Sequence, residues 1–121
     1  MAATRVLSKT EVDRFDHLPE LLSTRVRLRT SRLLPPQASA MTIGRTVLIR
    51  PGHEGDETLL AHELVHVRQW SDLGPVRFLI QYLGAYFRNL VRLRSHRAAY
   101  RAIPLEQEAR TGAATWRAAH Q

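Results

Sequence analysis

The spacing of apolar residues changes near residue 55 from a strand-like to a helix-like pattern. Arg25–Arg29 alternates charged and apolar residues, whereas Met41–Ile43 and Thr46–Ile49 are short apolar runs on either side of Gly44-Arg45. Alternation predicts a half-exposed strand, and two short runs around a glycine-containing pair predict a tight β-hairpin. We therefore expect short antiparallel strands in the first half of the chain.

Helical spacing predicts three helices in the second half. Asp56 can accept hydrogen bonds at the start of the first helix, and Gly74-Pro75 should end it. Proline suits the first turn of the last helix. The predicted ranges are Asp56 to about Asp72, Val76 to about Tyr100 and Pro104 to about Ala119.

A further short helix is predicted from Thr10 to about Leu22, with Pro19 near its end. Strands followed by helices indicate an α+β fold. A chain of 121 residues is long enough for one domain with a modest core. We expect a single domain over residues 1–121, with residues 1–25 as a peripheral N-terminal segment.

Composition limits the chemistry and suggests partners. The chain has no cysteine, so histidine and carboxylate side chains must hold any metal ion. Its formal net charge is +7, and Lys9 is the only lysine. Such an excess of arginine favours an acidic protein, a nucleic acid or an anionic membrane surface as partner. A general bias toward arginine and alanine explains it equally well.

Neither a signal peptide nor a membrane span is predicted. Residues 1–22 lack a continuous apolar run. The most apolar stretch, Pro75 to Leu93, is interrupted by Arg77, Gln81, Arg88 and Asn89, which a buried or interfacial helix tolerates better than a membrane span does. We therefore expect a cytoplasmic protein.

The segment His62-Glu63-Leu64-Val65-His66 has the spacing of a catalytic zinc site. Residues four apart share one face of a helix, so His62 and His66 present two imidazoles to one point. Glu63 projects about 100° away around the axis, where it can serve as a general base without being a ligand. The alternative is a buried helix whose histidines only satisfy core hydrogen bonds.

A third ligand and an oxyanion donor must come from further along the chain. Glu106 and Glu108 are the downstream candidates for the ligand, although acidic residues also favour the first turn of a helix for electrostatic reasons. Tyr100 and His96 are the candidate donors for a developing oxyanion. Alternatively, they are a core tyrosine and a surface histidine.

On these residues the sequence resembles the gluzincin metallopeptidases, which combine H-E-x-x-H with a glutamate from a later E-x-x-A element. Glu106-Gln107-Glu108-Ala109 matches that element, so the resemblance favours Glu106 as third zinc ligand over Glu108. Leu60–Gln69 also resembles the small bacterial zincin-like domains of extracellular contractile injection systems. The likeness extends over about residues 40–114.

One position departs from the gluzincin pattern. Many members carry an aspartate four residues after the ligand glutamate to support a metal-bound histidine, and this chain has Arg110 there. Asp56, Glu57 or Asp72 is expected to replace the missing carboxylate. Arg110 could instead bind a substrate carboxylate.

The remaining polar and aromatic residues are expected to have structural or surface positions and no chemical role. Gln69 should pack beside the site without binding the metal. Aromatic residues of the second helix are expected in the core, and three histidines in loops or at the end of the chain should lie on the surface. These two groups are Phe78, Tyr82, Tyr86 and Phe87, and His17, His53 and His120.

Together these features predict a zinc-dependent metallopeptidase acting on a peptide or protein substrate. Strand Thr46–Ile49, if it lies at the sheet edge, would align an extended substrate. One alternative is a catalytically silent metal-binding or partner-docking module; a less favoured one is a basic binder of nucleic acid or membrane surfaces. An acidic partner could contact the late arginines of the second helix, Arg88, Arg92, Arg94, Arg97 and Arg101.

Overall fold

A four-stranded sheet forms one layer of the protein. The computed structural model describes residues 4–121. The strands are β1 (Thr4–Val6), β2 (Arg27–Thr30), β3 (Ala40–Ile43) and β4 (Thr46–Ile49), in the order β1-β2-β4-β3. Most of the helical residues follow the last strand in the chain, so the α+β prediction is confirmed.

The sheet is mixed, although only antiparallel pairing was expected. The β3–β4 hairpin is confirmed, with Gly44 at a φ of 63° in its turn. β4 pairs with β2 in parallel, and β1 pairs with β2 antiparallel. Since β4 lies between β2 and β3, the edge strand on this side is β3 and not Thr46–Ile49.

Two short helices replace the single one predicted from Thr10. They are α1 (Lys9–Arg14) and α2 (Glu20–Ser23), and Pro19 immediately precedes the second. Ser8 rather than Thr10 caps α1, because its hydroxyl and the Glu11 side chain satisfy each other's backbone amides.

The long helix α3 (Glu57–Leu93) has a break in its middle. Asp56 caps its start as predicted, and Gly74 adopts φ 79° and ψ 161°, so the helix consists of a first arm (57–73) and a second arm (75–93). The second arm ends at Leu93, seven residues before the predicted end near Tyr100, because Arg94 adopts a left-handed conformation with a φ of 53°.

Two helices complete the chain after that end. Ser95 caps the separate helix α4 (His96–Arg101), which is why the predicted helix does not continue. Helix α5 (Pro104–Ala119) has the predicted bounds. No helix among residues 4–121 has the length and apolar character that crossing a membrane requires.

The core lies between the sheet and the first arm of α3. Side chains from the sheet, the first arm and α5 form one buried cluster with residues of the N-terminal segment: Leu28, Val47, Ile49, Leu60, Ala61, Leu64, Val67, Ala113, Trp116, Leu7, Phe15 and Leu18. The N-terminal segment was expected to be peripheral, but it supplies three core residues. Its apolar residues follow no regular period, so the hydrophobic pattern does not mark them as core.

Small residues bring α5 close to the first arm. Ala109 and Ala113 are buried, and a Cβ atom on Gly112 would lie 2.8 Å from Val65 Cγ2. This approach places the first turn of α5 beside the middle of the first arm.

Candidate metal centre

Two imidazoles and a carboxylate converge on the first arm of α3. The ring centroids of His62 and His66 lie 5.0 Å apart. Taking one ligand atom each from His62, Glu63 and His66, all three lie within 4.8 Å of one another, so the group could hold a metal ion. Glu63 and His66 are buried, and His62 is partly exposed.

Glu106 reaches the same point from α5. Its Oε1 lies 2.9 Å from His62 Nε2, and its Oε2 lies 3.1 Å from His66 Nε2. Glu108 instead contacts Arg68 and Gln69, each at 3.0 Å, and is about half exposed. Of the two glutamates, the structure therefore places only Glu106 against both imidazoles.

Gln69 orients the ring of His66. Its amide Nε2 donates to the Leu105 carbonyl and to Glu108, both at 3.0 Å. Its Oε1 must then face His66 Nδ1, 2.8 Å away, which makes Nδ1 the donor. Nε2 is therefore the nitrogen that faces the site, and when it gives up its proton its lone pair points there, the arrangement that a metal-binding histidine needs.

Gln69 thus performs the supporting role expected of an acidic residue. Asp56 caps α3, Glu57 pairs with Arg14, and Asp72 is exposed beside Arg68, so these three acids are engaged elsewhere. A glutamine suffices because its carbonyl oxygen accepts a hydrogen bond from Nδ1–H as a carboxylate would.

Glu63 is buried between the site and the sheet. The Thr42 hydroxyl lies 2.8 Å from Glu63 Oε1 and 3.2 Å from its backbone carbonyl. Burial raises the pKa of Glu63, although the nearby histidines and Thr42 oppose this. Thr42 belongs to β3, so the edge strand directly contacts the site.

The carboxylate of Glu106 is held in its ionised form. Burial acts to raise its pKa, but hydrogen bonds from His62, His66 and Tyr82 outweigh burial and lower it. For His66 burial acts to lower the pKa, while hydrogen bonding to Glu106 and its charge prevail and raise it. The cluster therefore favours an anionic Glu106 next to imidazole nitrogens.

Two tyrosines border the site. Tyr82 Oη donates to Glu106 Oε2 at 2.5 Å. Burial raises the pKa of Tyr82 and of Tyr100, and the charge of Glu106 adds to this, so both phenols stay protonated donors. Tyr100 was expected here, whereas Tyr82 was assigned to the core. Its position four residues after buried Phe78 was the available signal.

His96 and Arg110 lie apart from the imidazoles. His96 Nδ1 is 2.7 Å from the Tyr86 hydroxyl on an exposed surface. Arg110 donates to the backbone carbonyl of Arg101 and so connects α5 to α4. The expected oxyanion-donor role of His96 and substrate-carboxylate role of Arg110 have no supporting contact among residues 4–121.

The expected positions of three residues, His17, His120 and Phe87, were wrong. His17 is half-buried and its Nε2 lies 2.9 Å from the Ala61 carbonyl. His120 stacks on Trp116, with ring centroids 4.8 Å apart. Phe87 was expected in the core, but it is 58% exposed because it lies opposite the buried face of its arm.

Comparison with known families supports the likeness to injection-system proteins. The family model of the eCIS core domain matches residues 24–74, fewer than half of the 121 residues. The match includes Thr42, His62, Glu63 and His66, and it ends at the Gly74 break. Glu106 lies outside it. No curated protein and no solved structure matches the chain.

Proposed function

We propose that this chain is a zinc-binding domain that docks onto a protein partner, with zinc held by His62, His66 and Glu106. The carrying observation is the contact of one Glu106 carboxylate with both imidazole Nε2 atoms, at 2.9 and 3.1 Å. Two histidines and one glutamate form a common protein ligand set of catalytic zinc sites.

The donors at this point fit zinc chemically. Gln69 directs the lone pair of His66 Nε2 into the site, and the lowered pKa of Glu106 keeps that carboxylate ionised. Nitrogen and carboxylate-oxygen donors suit zinc, and a chain without cysteine offers no thiolate. The fit therefore extends from the ligand atoms to their supporting hydrogen bonds.

The docking role is supported by the family match. The eCIS core model covers the sheet strands β2–β4 and the first arm of α3, and its name describes a component of a larger assembly. A metal site in such a component can stabilise the fold, because binding free energy adds to folding free energy.

The ligand assignment is tested by comparing the two glutamates. Glu106→Gln keeps the side-chain shape but removes the anionic donor, so zinc affinity should fall by more than the roughly 10–100-fold typical of lost supporting groups. Glu108→Gln is the matched control and should change affinity only slightly. Competition titration with a chromophoric chelator measures both. Equal affinities for the two variants would remove Glu106 from the ligand set.

Peptide hydrolysis is a second candidate function, favoured by the position of Glu63. Its carboxylate is buried within 4.8 Å of the imidazole donor atoms and accepts a hydrogen bond from Thr42. When bound, zinc would supply Lewis acidity and make water easier to deprotonate. Glu63 would accept the proton from that water as general base, and Tyr82 or Tyr100 would donate to the developing oxyanion.

The edge strand would position a substrate in this scheme. Among residues 4–121 β3 pairs with β4 alone, so its other side is a sheet edge beside Thr42. An extended peptide can add to such an edge through main-chain hydrogen bonds. In this proposal β3 would take the role that was expected of Thr46–Ile49.

Hydrolysis is tested with Glu63→Gln, which keeps the shape and removes the proton acceptor. Cleavage of a mixed peptide library should fall by roughly a hundredfold or more, while zinc content and circular dichroism stay unchanged. Cleavage at equal rates by wild type and variant would eliminate Glu63 as base. If zinc-loaded wild type cleaves no peptide, hydrolysis is rejected and docking is the function that remains.

A further inference from the structure

The second arm of α3 exposes a continuous apolar face. The residues on it follow one another at intervals of three or four, and we call them the apolar stripe: Val76, Ile80, Leu83, Phe87 and Val91. All are exposed, Ile80 by 67% and Val91 by 76%. Apolar patches of a few hundred Å² commonly mark interaction sites on soluble proteins.

The stripe lies opposite the face that the arm buries. Phe78, Ala85 and Asn89 are the buried residues of this arm. At about 100° per residue they point roughly 180° away from the centre of the stripe. The protein's own core therefore uses one side of the arm, and the apolar residues on the other side are not needed for it.

A row of arginines borders one side of the stripe. Arg77, Arg88 and Arg92, here called the arginine row, are exposed and fall on the same flank of the helix. The ion pairs formed within residues 4–121 involve other arginines, namely Arg5, Arg14, Arg68 and Arg117. The row thus carries three charges for which this part of the chain supplies no carboxylate.

We propose that the apolar stripe and the arginine row bind an acidic amphipathic helix of a protein partner. Apolar side chains at helical spacing would pack against the stripe, and carboxylates on one flank would pair with the arginine row. This inference deepens the proposed docking role and does not depend on the zinc site.

Charge argues against a second copy of this chain as the occupant. Residues 75–101 contain no aspartate or glutamate. In a two-fold antiparallel pair each flank meets its own copy, which would bring one arginine row against another. In a parallel pair the row would meet a flank without carboxylates. A second copy therefore covers the stripe but leaves the arginines unpaired.

The arrangement of charge also favours a helix over a lipid surface. Helices that lie on anionic membranes carry basic residues across their polar face, with the apolar face buried in lipid. Here the face opposite the stripe is packed into the protein and is not free to carry basic residues, and the row occupies one flank only. A single charged flank matches the paired flanks of two packed helices.

The test uses a designed helical peptide of roughly 20 residues, long enough to be helical in isolation. It carries a leucine seam flanked by glutamates, and a matched peptide has lysine at the flanking positions. Binding to the full zinc-loaded chain is measured by fluorescence anisotropy. The acidic peptide should bind saturably and the lysine peptide should not.

Two variants map that binding to the proposed surface. Arg77→Gln/Arg88→Gln/Arg92→Gln should weaken it roughly tenfold, the combined size expected of three exposed ion pairs. Ile80→Ser/Phe87→Ser should weaken it at least as much. The charge-matched control replaces three exposed arginines of β2 and of the β3–β4 turn, Arg27, Arg29 and Arg45, and should leave binding unchanged.

Four results would overturn the proposal. If the acidic peptide does not bind saturably, the row does not recognise acidic helices. The same conclusion follows if the two triple arginine variants weaken its binding equally. Dimerisation in sedimentation that Ile80→Ser/Phe87→Ser abolishes would assign the stripe to a second copy. Stripe-dependent binding to phosphatidylglycerol vesicles without peptide binding would assign it to a membrane. Zinc content, measured on the same samples, separates any of these failures from a failure of the metal site.

Discussion

The two arms of α3 are continuous in sequence but differ in surroundings. The first arm buries eight side chains, including Glu63, His66 and Gln69, against the sheet, α5 and the N-terminal segment. The second arm buries three and exposes an apolar face. Dense packing on several sides fixes side-chain geometry, which a metal site requires. A face packed on one side only remains available to a partner.

The same substitution in each arm should give the largest contrast. Leu64→Ala removes a fully buried side chain of the first arm, so the free energy of unfolding should fall by about 3–5 kcal/mol. Leu83→Ala, in the exposed stripe, should lower it by less than about 0.5 kcal/mol. Urea denaturation followed by circular dichroism measures both. Similar losses would mean that the arms are packed alike.

A pair of glycine substitutions sharpens the comparison. On Gly112 a methyl group would lie 2.8 Å from Val65 Cγ2, so Gly112→Ala should cost about 1–3 kcal/mol of stability. Gly84 is in the second arm with open space around it. Gly84→Ala should stabilise the helix by about 0.5–1 kcal/mol. The same denaturation assay applies, and the contact between α5 and the first arm would be looser than described if Gly112→Ala were neutral.

The smallest predicted effect on stability concerns His17, which contacts the backbone of the first arm at Ala61. His17 Nε2 donates to the Ala61 carbonyl, and its Nδ1 is buried without a partner among residues 4–121. Burial lowers the pKa of His17, so folding favours the neutral ring. Its stabilising contribution should be complete above the unfolded pKa of about 6.5 and be lost as pH falls through the folded pKa.

His17→Gln removes this titration and retains an amide donor for Ala61. The variant should therefore lose less stability than wild type between pH 7 and pH 5, as measured by thermal unfolding across that range. A wild-type midpoint that fell no faster than that of the variant would contradict a buried neutral ring at this position.

Local sequence signals predicted the parts of the molecule that depend on neighbours in sequence. The β3–β4 hairpin, the cap at Asp56, the break at Gly74 and the bounds of α5 follow from turn chemistry and helix-terminal residues. The spacing of His62 and His66 likewise needed only one helix.

Features that depend on distant residues were not predictable in this way. The parallel β2–β4 pairing, the burial of Phe15 and the contact of Tyr82 with Glu106 join segments far apart in the chain. The role of Gln69 was hidden because its amide must be oriented by Leu105 and Glu108, which belong to another helix. Phe87 was misplaced because apolar spacing alone does not show which of two apolar faces meets the core.

The metal content of the purified chain tests the central claim most directly. Wild type, exchanged into metal-free buffer after loading with zinc, should retain about one zinc ion per chain by inductively coupled plasma mass spectrometry. The double variant His62→Ala/His66→Ala should retain almost none, because a single remaining carboxylate ligand cannot hold zinc tightly. Stoichiometric zinc in the double variant, or none in the loaded wild type, would contradict a metal centre at this site.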